Sequence, residues 1–298
     1  MLEGLPVAKR KKDGSFRHTY GSGRTACDIG TQSVAIVTKE QVILKNLAER
    51  SENTFSYEHK IYLLQRYLDR SLRATNPNSY NPDGTVKKGK KEWRLSKRHR
   101  KAKSQLRELH RKAAESRKYA HNEEVNRLRA MGDELLIESM NIQGLQKKAK
   151  EVTIDEKTGK YNRRKRFGKS IGKRSPGYFI QQAKYRFEIT GGTVKEVNTW
   201  SFKASQYDHV LDGVIKKPLS QRWHILPHRV KIQRDLYSAF LLYCAEDDLQ
   251  KPNKQRCDEF FERFIVQHDQ CIEEITLHRK VIMNSGIKFP SLKGKKAV

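Results

Sequence analysis

The sequence contains no long run of apolar residues. Its longest nearly apolar stretch, YSAFLLYCA at 237–245, is far too short to cross a bilayer. The N-terminal stretch MLEGLPVAKRKKDGSFRHTYGSG is basic and lacks the apolar segment that a secretory signal requires. These absences predict a soluble protein that stays inside the cell and does not contact a membrane.

Cysteine is scarce, and no two cysteines form a CxxC pair. The 298 residues include four, namely Cys27, Cys244, Cys257 and Cys271. Their spacing gives no disulfide scaffold, so we expect free thiols in a reducing, intracellular compartment. On one helix, the segment from Cys257 through His268 and Cys271 to His278 would extend ~30 Å, so these side chains cannot share one metal ion.

Acidic residues are few relative to basic ones. The chain has 62 lysine and arginine residues against 34 aspartate and glutamate residues, which gives a net charge of +28. Such an excess supports salt-dependent binding to nucleic acid. The densest segment, 87–118, carries fifteen basic residues against three glutamates, whereas a merely solvated helix face would mix both signs. This helix and a basic loop at 163–174 supply the predicted nucleic-acid-binding residues, which are Lys97, Arg98, Arg100, Lys101, Lys103, Arg163, Arg164, Lys165 and Arg166.

Aromatic and histidine side chains accompany these basic segments. Trp93 and Tyr119 border the basic helix and are expected to pack, and Phe167 is available to stack on a base. The segment before the last core helix contains four candidates for positioning substrate strands, which are Tyr207, His209, Trp223 and His224. For Trp223 a structural role is the stronger expectation.

Alternating apolar residues predict strands near the start of the chain. RTACDI, SVAIVT and QVILKNL, separated by short turns, are typical of a three-strand antiparallel meander. Further strands are predicted at GDELLIE and GGTVKEV, with a helix that Ser175 caps and Pro176 opens between them. VKIQRDLYSAFLLYC predicts a later helix. A meander followed by strands joined through helices indicates an α/β fold with the mixed sheet of an RNase H-like (RuvC) domain.

The remaining segments are predicted as insertions and extensions. Apolar residues three and four apart predict helices at 56–72 and 93–130, most simply an antiparallel helical hairpin. Residues 157–174 are expected to form a flexible basic loop, and about 198–230 an irregular insertion. The domain plan is a basic tail or linker at 1–23, the first part of the RuvC-like domain at 24–55, the helical-hairpin insertion at 56–130, the rest of that domain at 131–245 and a C-terminal helical extension at 246–298.

Three acidic residues lie at the ends of predicted elements. Asp28 ends the first strand, Glu138 ends the fourth, and Asp235 opens the last core helix. If the first and fourth strands are neighbours, the carboxylates meet, and such oxygen ligands bind Mg²⁺ or Mn²⁺. Two ions of this kind promote phosphodiester hydrolysis. Each acid also has a simpler explanation, as a turn residue (Asp28), a solvated strand end (Glu138) or a favourable charge at a helix N-terminus (Asp235).

Three stretches resemble the RuvC motifs of the TnpB (OrfB) family, which insertion sequences encode and which is related to type V CRISPR effectors. They are DIGTQSVAIVT, LRAMGDELLIESMNIQGLQKKAK and QRDLYSAFLLYC, and the likeness covers roughly residues 21–245. The resemblance implies that Asp28, Glu138 and Asp235 are catalytic acids that hold Mg²⁺ or Mn²⁺ in an RNA-guided DNA endonuclease. The implied partners are a guide RNA and target DNA, single-stranded in an R-loop.

Three features depart from the family pattern. Typical members carry recognition domains before the first motif, where this chain has about two dozen residues. The resemblance therefore implies a fragment, half of a split protein or a truncated copy that needs an N-terminal half or a partner protein. Many members have a zinc ribbon between the second and third motifs, but SQYDHVLDGVIKKPLSQRWHILPHRV has no cysteine, so we expect no zinc. Finally, Tyr237 stands where the family often has asparagine.

The sequence leaves three functional hypotheses. The first is a divalent-metal-dependent DNA endonuclease of the transposon-associated TnpB kind, located in a prokaryotic cytoplasm at the nucleoid. The second is a non-cutting RNA- or DNA-binding fragment, such as an RNA-guided repressor that needs a partner. The third, ranked lowest, is a transposase that joins DNA ends with the same fold.

Overall fold

The computed structural model describes residues 10–18, 20–49, 53–156, 159, 161–162, 167–218 and 220–289, without the side chains of 53–55, 169 and 228. The strands are β1 (Arg24–Ile29), β2 (Ser33–Thr38), β3 (Val42–Asn46), β4 (Glu134–Glu138), β5 (Thr193–Val197), β6 (Tyr207–Asp208), β7 (Gly213–Val214), β8 (Trp223–Ile225) and β9 (Lys231–Gln233). The helices are α1 (Asn53–Thr75), α2 (Lys97–Met131), α3 (Ile142–Gln146), α4 (Gly168–Arg174), α5 (Pro176–Ile189), α6 (Thr199–Phe202), α7 (Arg234–Tyr243) and α8 (Lys254–Leu277).

Five strands form one mixed sheet with the order β3-β2-β1-β4-β5. β1, β2 and β3 pair antiparallel, as the predicted meander requires. β4 pairs parallel to β1, and β5 pairs parallel to β4. The predicted meander and the two later strands are confirmed, and the chain has a mixed α/β fold.

One face of this sheet packs against α7 and α8. Because side chains alternate along a strand, Ala26 of β1 and Leu136 of β4 point to the same face. They belong to one buried cluster with Leu236 and Phe240 of α7 and Phe264 of α8. The apolar run predicted as a helix at the third motif therefore supplies the layer that covers this face.

The opposite face packs against the end of α2 and against α5. Cys27 and Ile137, one residue along from the first pair, lie in a second buried cluster with Leu128 of α2 and Phe179 and Phe187 of α5. Both faces are covered, which explains why β1, β2 and β4 have apolar residues in succession rather than in strict alternation.

The chain divides into two compact units, one formed by Met1–Leu47 with His121–Val298 and the other by Ala48–Ala120. In the smaller unit, the side-chain amide of Asn76 donates to the carbonyl of Arg94 at 2.9 Å and accepts from its amide at 2.8 Å. Ser96 then caps α2 by accepting from the amide of His99 at 3.1 Å. These contacts explain why the basic helix begins at Lys97 and not at residue 93.

Several predicted boundaries are corrected by the structure. Residues 168–174, expected to be loop, form α4, and the insertion expected to be irregular contains α6 and two small two-stranded sheets. Ser175 lies at the start of α5 with a φ of 47°, but its side chain makes no capping bond. The predicted binding residues Arg163, Arg164, Lys165 and Arg166 lie outside the described residues. Within the described ranges, no helix combines the length and apolar content needed to cross a membrane.

Candidate active site

The ends of β1 and β4 bring two of the predicted acids to adjacent positions. The parallel register sets Cys27 opposite Ile137, so Asp28 and Glu138 follow as the next residues on neighbouring strands. Each lies two residues beyond a residue of the α7-facing cluster, Ala26 or Leu136, so both point toward the α7 side of the sheet. The sheet thus brings together two acids that are separated by 109 residues along the chain.

The third acid lies in the first turn of α7. Gln233 caps this helix, because its Oε1 accepts from the amide of Leu236 at 2.8 Å while its Nε2 donates to Asp235 Oδ2 at 3.3 Å. Arg234 Nε lies 3.5 Å from Asp235 Oδ1. The amide of Gln233 donates to His268 Nε2 of α8 at 3.0 Å. Gln233 and Arg234 therefore hold Asp235, and His268 holds Gln233; the sequence assigned none of these three residues to the site.

The three carboxylates interact electrostatically. Burial first, and then the charges of Asp235 and Glu138, raise the pKa of Asp28 well above its usual value. The guanidinium of Arg234 and the hydroxyl of Ser238 act on that pKa in the opposite direction. Burial raises the pKa of Glu138 to about 7. Carboxylates that raise one another's pKa favour either a retained proton or a bound cation.

The acids do not form a closed ligand set. In the part of the chain that the structure describes, no three histidine, cysteine, aspartate or glutamate side chains lie close enough to hold one metal ion. Charge interactions in a desolvated site extend well beyond the length of a metal–ligand bond, so the raised pKa of Asp28 and the open arrangement are compatible. Closing the set requires side-chain movement at Asp28, Glu138 and Asp235.

A cavity of about 290 Å³ adjoins Glu138, with Asn141 and Thr199 among its lining residues. Thr199 donates to the carbonyl of Ser139 at 2.8 Å, which ties the start of α6 to the end of β4. The next residue, Trp200, is 88% exposed. An exposed indole is a surface on which a nucleobase can stack, and its unusual exposure could not be read from the sequence.

The four residues predicted to position substrate strands lie mainly in the interior. Tyr207, His209 and His224 are buried. His209 Nδ1 lies 2.6 Å from the hydroxyl of Tyr237, and the ring of His224 stacks on the same tyrosine with centroids 4.6 Å apart. Trp223 donates to the carbonyl of Gly286 at 3.1 Å, as its expected structural role requires. The substrate-positioning prediction is therefore wrong for the three buried residues, of which His209 and His224 instead contact Tyr237 of α7, two residues beyond Asp235.

The five predicted binding residues on α2 are all exposed at its N-terminal end. No acidic residue lies in the first turn of this helix. Farther along, Arg111 is neutralised by Glu108 at 2.7 Å and Glu115 at 2.6 Å. Because a helix N-terminus already carries partial positive charge, cations concentrated there are unfavourable unless an anion binds. The side chain of Tyr119 is 60% exposed.

Comparison with models of protein families gives no match for this chain, and comparison with curated protein sequences gives no significant match.

The metal-free protein should lose stability as the acids ionise. The pKa of Glu138 is about 7 in the folded protein against an ordinary value of 4.5, so the folded state holds this proton more tightly than the unfolded chain does. Its stabilising contribution is complete below the ordinary value and is lost as the pH rises to about 7. In EDTA, we expect Glu138→Gln to raise the free energy of unfolding by about 2–3 kcal/mol above neutral pH and to change it little near pH 4.

Urea unfolding across this pH range measures the effect, with Glu196→Gln as control. Glu196 lies on the neighbouring strand β5, is exposed and pairs with Lys184 at 2.8 Å. Its neutralisation should change stability by less than about 1 kcal/mol at every pH. Equal pH profiles for Glu138→Gln and the wild type would contradict a desolvated Glu138.

Proposed function

We propose that this chain is a divalent-metal-dependent nuclease of RNase H-like, RuvC-type fold that hydrolyses single-stranded DNA. The observation that carries the proposal is the placement of Asp28 and Glu138 at adjacent strand ends on the α7 side of the sheet, with Asp235 near enough for its charge to act on Asp28. The sheet order, with an antiparallel meander followed by two parallel strands, supports the fold assignment. The three RuvC-like motifs support the family resemblance independently of the geometry.

The donor set fits Mg²⁺ or Mn²⁺. All three side chains offer carboxylate oxygens, which these ions prefer, and the mutual repulsion of the carboxylates decreases when a cation binds. The bound ions would supply an activated water and stabilise the leaving oxygen. Gln233 and Arg234 contact the Asp235 carboxylate, while the hydroxyl of Ser238, which donates to the carbonyl of Arg234 at 3.1 Å, lowers the pKa of Asp28.

The surroundings of the acids favour a single strand as substrate. Trp200, which directly follows the cavity-lining residue Thr199, has an exposed ring, and stacking on a base requires that the base be unpaired. The exposed cations at the start of α2 offer backbone contacts for nucleic acid. We propose that the target is a DNA strand displaced in an R-loop, that a guide RNA selects it, and that the protein acts in a prokaryotic cytoplasm near the nucleoid.

The direct test is cleavage of end-labelled single-stranded DNA by the purified chain. Mg²⁺ or Mn²⁺ should produce cleavage, and EDTA should abolish it. Matched double-stranded DNA should be cut at least about tenfold more slowly, because its bases are not free to stack. RNA recovered with the protein should then direct cleavage to complementary targets. Absence of cleavage with both metals, on bare and on guided substrates, would contradict the nuclease proposal.

A second function, a non-cutting nucleic-acid binder that works with a partner, is favoured by one observation. The three acids do not form a closed metal set in the described part of the chain. This alternative predicts tight RNA or DNA binding with no products in Mg²⁺ or Mn²⁺. The same assay therefore separates the two functions, provided that binding is measured in parallel.

The basic end of α2 should account for a definable share of nucleic-acid affinity. A variant with Lys97, Arg98, Arg100 and Lys101 all changed to Gln removes four exposed cations. If each contacts one phosphate, the slope of log affinity for single-stranded DNA against log salt should decrease by about 3. Fluorescence anisotropy at several salt concentrations measures this slope.

The control variant also loses four positive charges, but at residues that are ion-paired. It replaces Arg73, Lys184, Lys195 and Lys251, each of which pairs with an acid, by Gln. We expect its salt slope to remain close to that of the wild type. If the salt slope decreases equally in both variants, the affinity depends on net charge alone and the proposed role of α2 is wrong.

A further inference from the structure

A second cavity lies at the other end of the sheet from the acids. Its volume is about 490 Å³, within the range of small-molecule sites. Arg24 at the start of β1 and Tyr243 at the end of α7 line it. Asp28 is four residues farther along β1, about 13 Å at strand spacing. The cavity is therefore separate from the candidate active site.

Four cations and a single acid, Glu259, line this cavity. Arg24 is fixed by Glu134 at 2.8 Å and by the carbonyls of Tyr243 and Ala245, both at 3.2 Å. Because its position is already fixed, the Arg24 guanidinium can bind an anion without the loss of conformational entropy that a flexible lysine side chain would incur.

Of the other three cations on the cavity wall, two have acidic partners outside the lining. Arg263 pairs with Glu40 at 2.6 Å, and Arg256 pairs with Asp247 at 2.9 Å. Lys39 has no ion-pair partner within the described ranges and is exposed. The cavity wall therefore presents the Lys39 ammonium and guanidinium groups, which a phosphate or another multivalent anion can bind by sharing or displacing the present acidic partners of the arginines.

Aromatic rings complete the lining. Tyr243 and Phe260 are both partly exposed, and their centroids lie 4.8 Å apart with ring planes inclined by 36°. Phe260 also packs on Phe240 of the core, which fixes its position. A rigid aromatic surface next to cations matches the two halves of a nucleotide, because the base stacks on the rings while the phosphate pairs with the guanidinium groups.

We propose that this cavity binds one nucleotide, with its base on Tyr243 and Phe260 and its phosphate near Arg24, Lys39 and Arg263. The nucleotide is either free or one unit of a single-stranded nucleic acid, since both present the same chemistry. Binding here requires no divalent metal and does not depend on the proposed nuclease activity.

The test measures binding to the full chain by calorimetry, in EDTA and at a salt concentration of about 0.2 M, which weakens non-specific contacts. The probes are deoxyadenosine 5′-monophosphate and its base-free counterpart, deoxyribose 5-phosphate. We expect the nucleotide to bind about tenfold more tightly, as stacking of one base predicts. Phe260→Leu should remove this difference while leaving the affinity for deoxyribose 5-phosphate unchanged.

Arg263→Glu should weaken both ligands by at least about tenfold. Lys184→Glu is its control. Like Arg263, Lys184 pairs with one glutamate, and the side chains of Arg263 and Lys184 are each 45% exposed. Lys39→Glu, at an exposed position, repeats the test if Arg263→Glu unfolds. An oligonucleotide and the mononucleotide are then compared as competitors for the site. If the oligonucleotide competes more strongly, the natural ligand is a nucleic-acid strand, and if the mononucleotide does, it is a free nucleotide.

Equal affinity for the two small ligands would overturn the proposal. So would equal losses in Arg263→Glu and Lys184→Glu, or no binding of either the nucleotide or the oligonucleotide. A chain that fails to cut DNA but binds the nucleotide as described would leave this site intact, so the two proposals fail separately.

Discussion

Asp28→Asn is expected to reduce Mg²⁺-dependent cleavage of single-stranded DNA by about a thousandfold while leaving the protein folded. The amide keeps the shape of the side chain but cannot supply an anionic ligand, and Asp28 is the acid whose pKa responds to both of the others. The same substitution removes a repulsive charge from a desolvated site. In EDTA, the free energy of unfolding should therefore equal or exceed that of the wild type.

Cleavage rates and urea unfolding of the same preparations test both parts of this expectation. Glu196→Gln provides the matched control, because it removes one carboxylate from the same sheet at an exposed position paired with Lys184. Its cleavage rate should stay within about twofold of the wild type. Full activity in Asp28→Asn would contradict a catalytic role for Asp28. Loss of folding in that variant would contradict the expectation that its charge is destabilising.

Arg129→Met is expected to lower the free energy of unfolding by about 3 kcal/mol. The Arg129 guanidinium is buried and donates to Thr190 Oγ1 at 2.8 Å and to the carbonyls of Thr190, Gly21 and Gly132 at 3.0, 2.8 and 3.1 Å. It also lies over the ring of Tyr20, 4.7 Å from its centroid. One side chain thus joins the segment before β1, the end of α2 and the end of α5.

Methionine matches much of the apolar length of the arginine, but it cannot donate to those carbonyls, which are then buried without a hydrogen bond. A Cβ atom on Gly132 would lie 2.3 Å from the carbonyl oxygen of Gly23, so the backbone segments are too close for a larger group to fill the gap. Arg127→Met on the same helix is the control, since Arg127 is 50% exposed and pairs with Glu124 at 3.5 Å. We expect that variant to change stability by less than about 0.5 kcal/mol. Equal effects would contradict the joining role of Arg129.

The sheet could be predicted from the sequence because its signals are local. Alternating or continuous apolar runs bounded by turn residues define each strand, and Asp28 and Glu138 are conspicuous because they end such runs. The sequence did not establish that the first and fourth strands are neighbours, and the structure shows that they pair in parallel. These local signals therefore indicated where the acids lie along the strands.

The supports of the site were missed because their partners are distant in sequence. Gln233 receives its contact from His268, 35 residues later, and no periodicity in either segment indicates it. His224 looks functional as an isolated residue, yet the structure pairs its Nε2 with Asp208 Oδ2 at 3.1 Å in the interior. Short α4 escaped prediction for a different reason, since Ile171 is its one buried apolar residue in the described part and a single residue has no period.

The two outer strands of the sheet bear on how the protein behaves at high concentration. An open edge offers unpaired amides and carbonyls to a strand from another molecule. At the last residue of β3, the side chain of Asn46 donates to the carbonyl of Val281 and accepts from the amide of Met283, both at 2.8 Å, so the chain's own residues 281–283 are fixed at this end of the strand. At β5, the consecutive charged residues Lys195 and Glu196 oppose docking of a foreign strand. Both edge strands thus carry residues that oppose pairing with another molecule and self-association into fibrils.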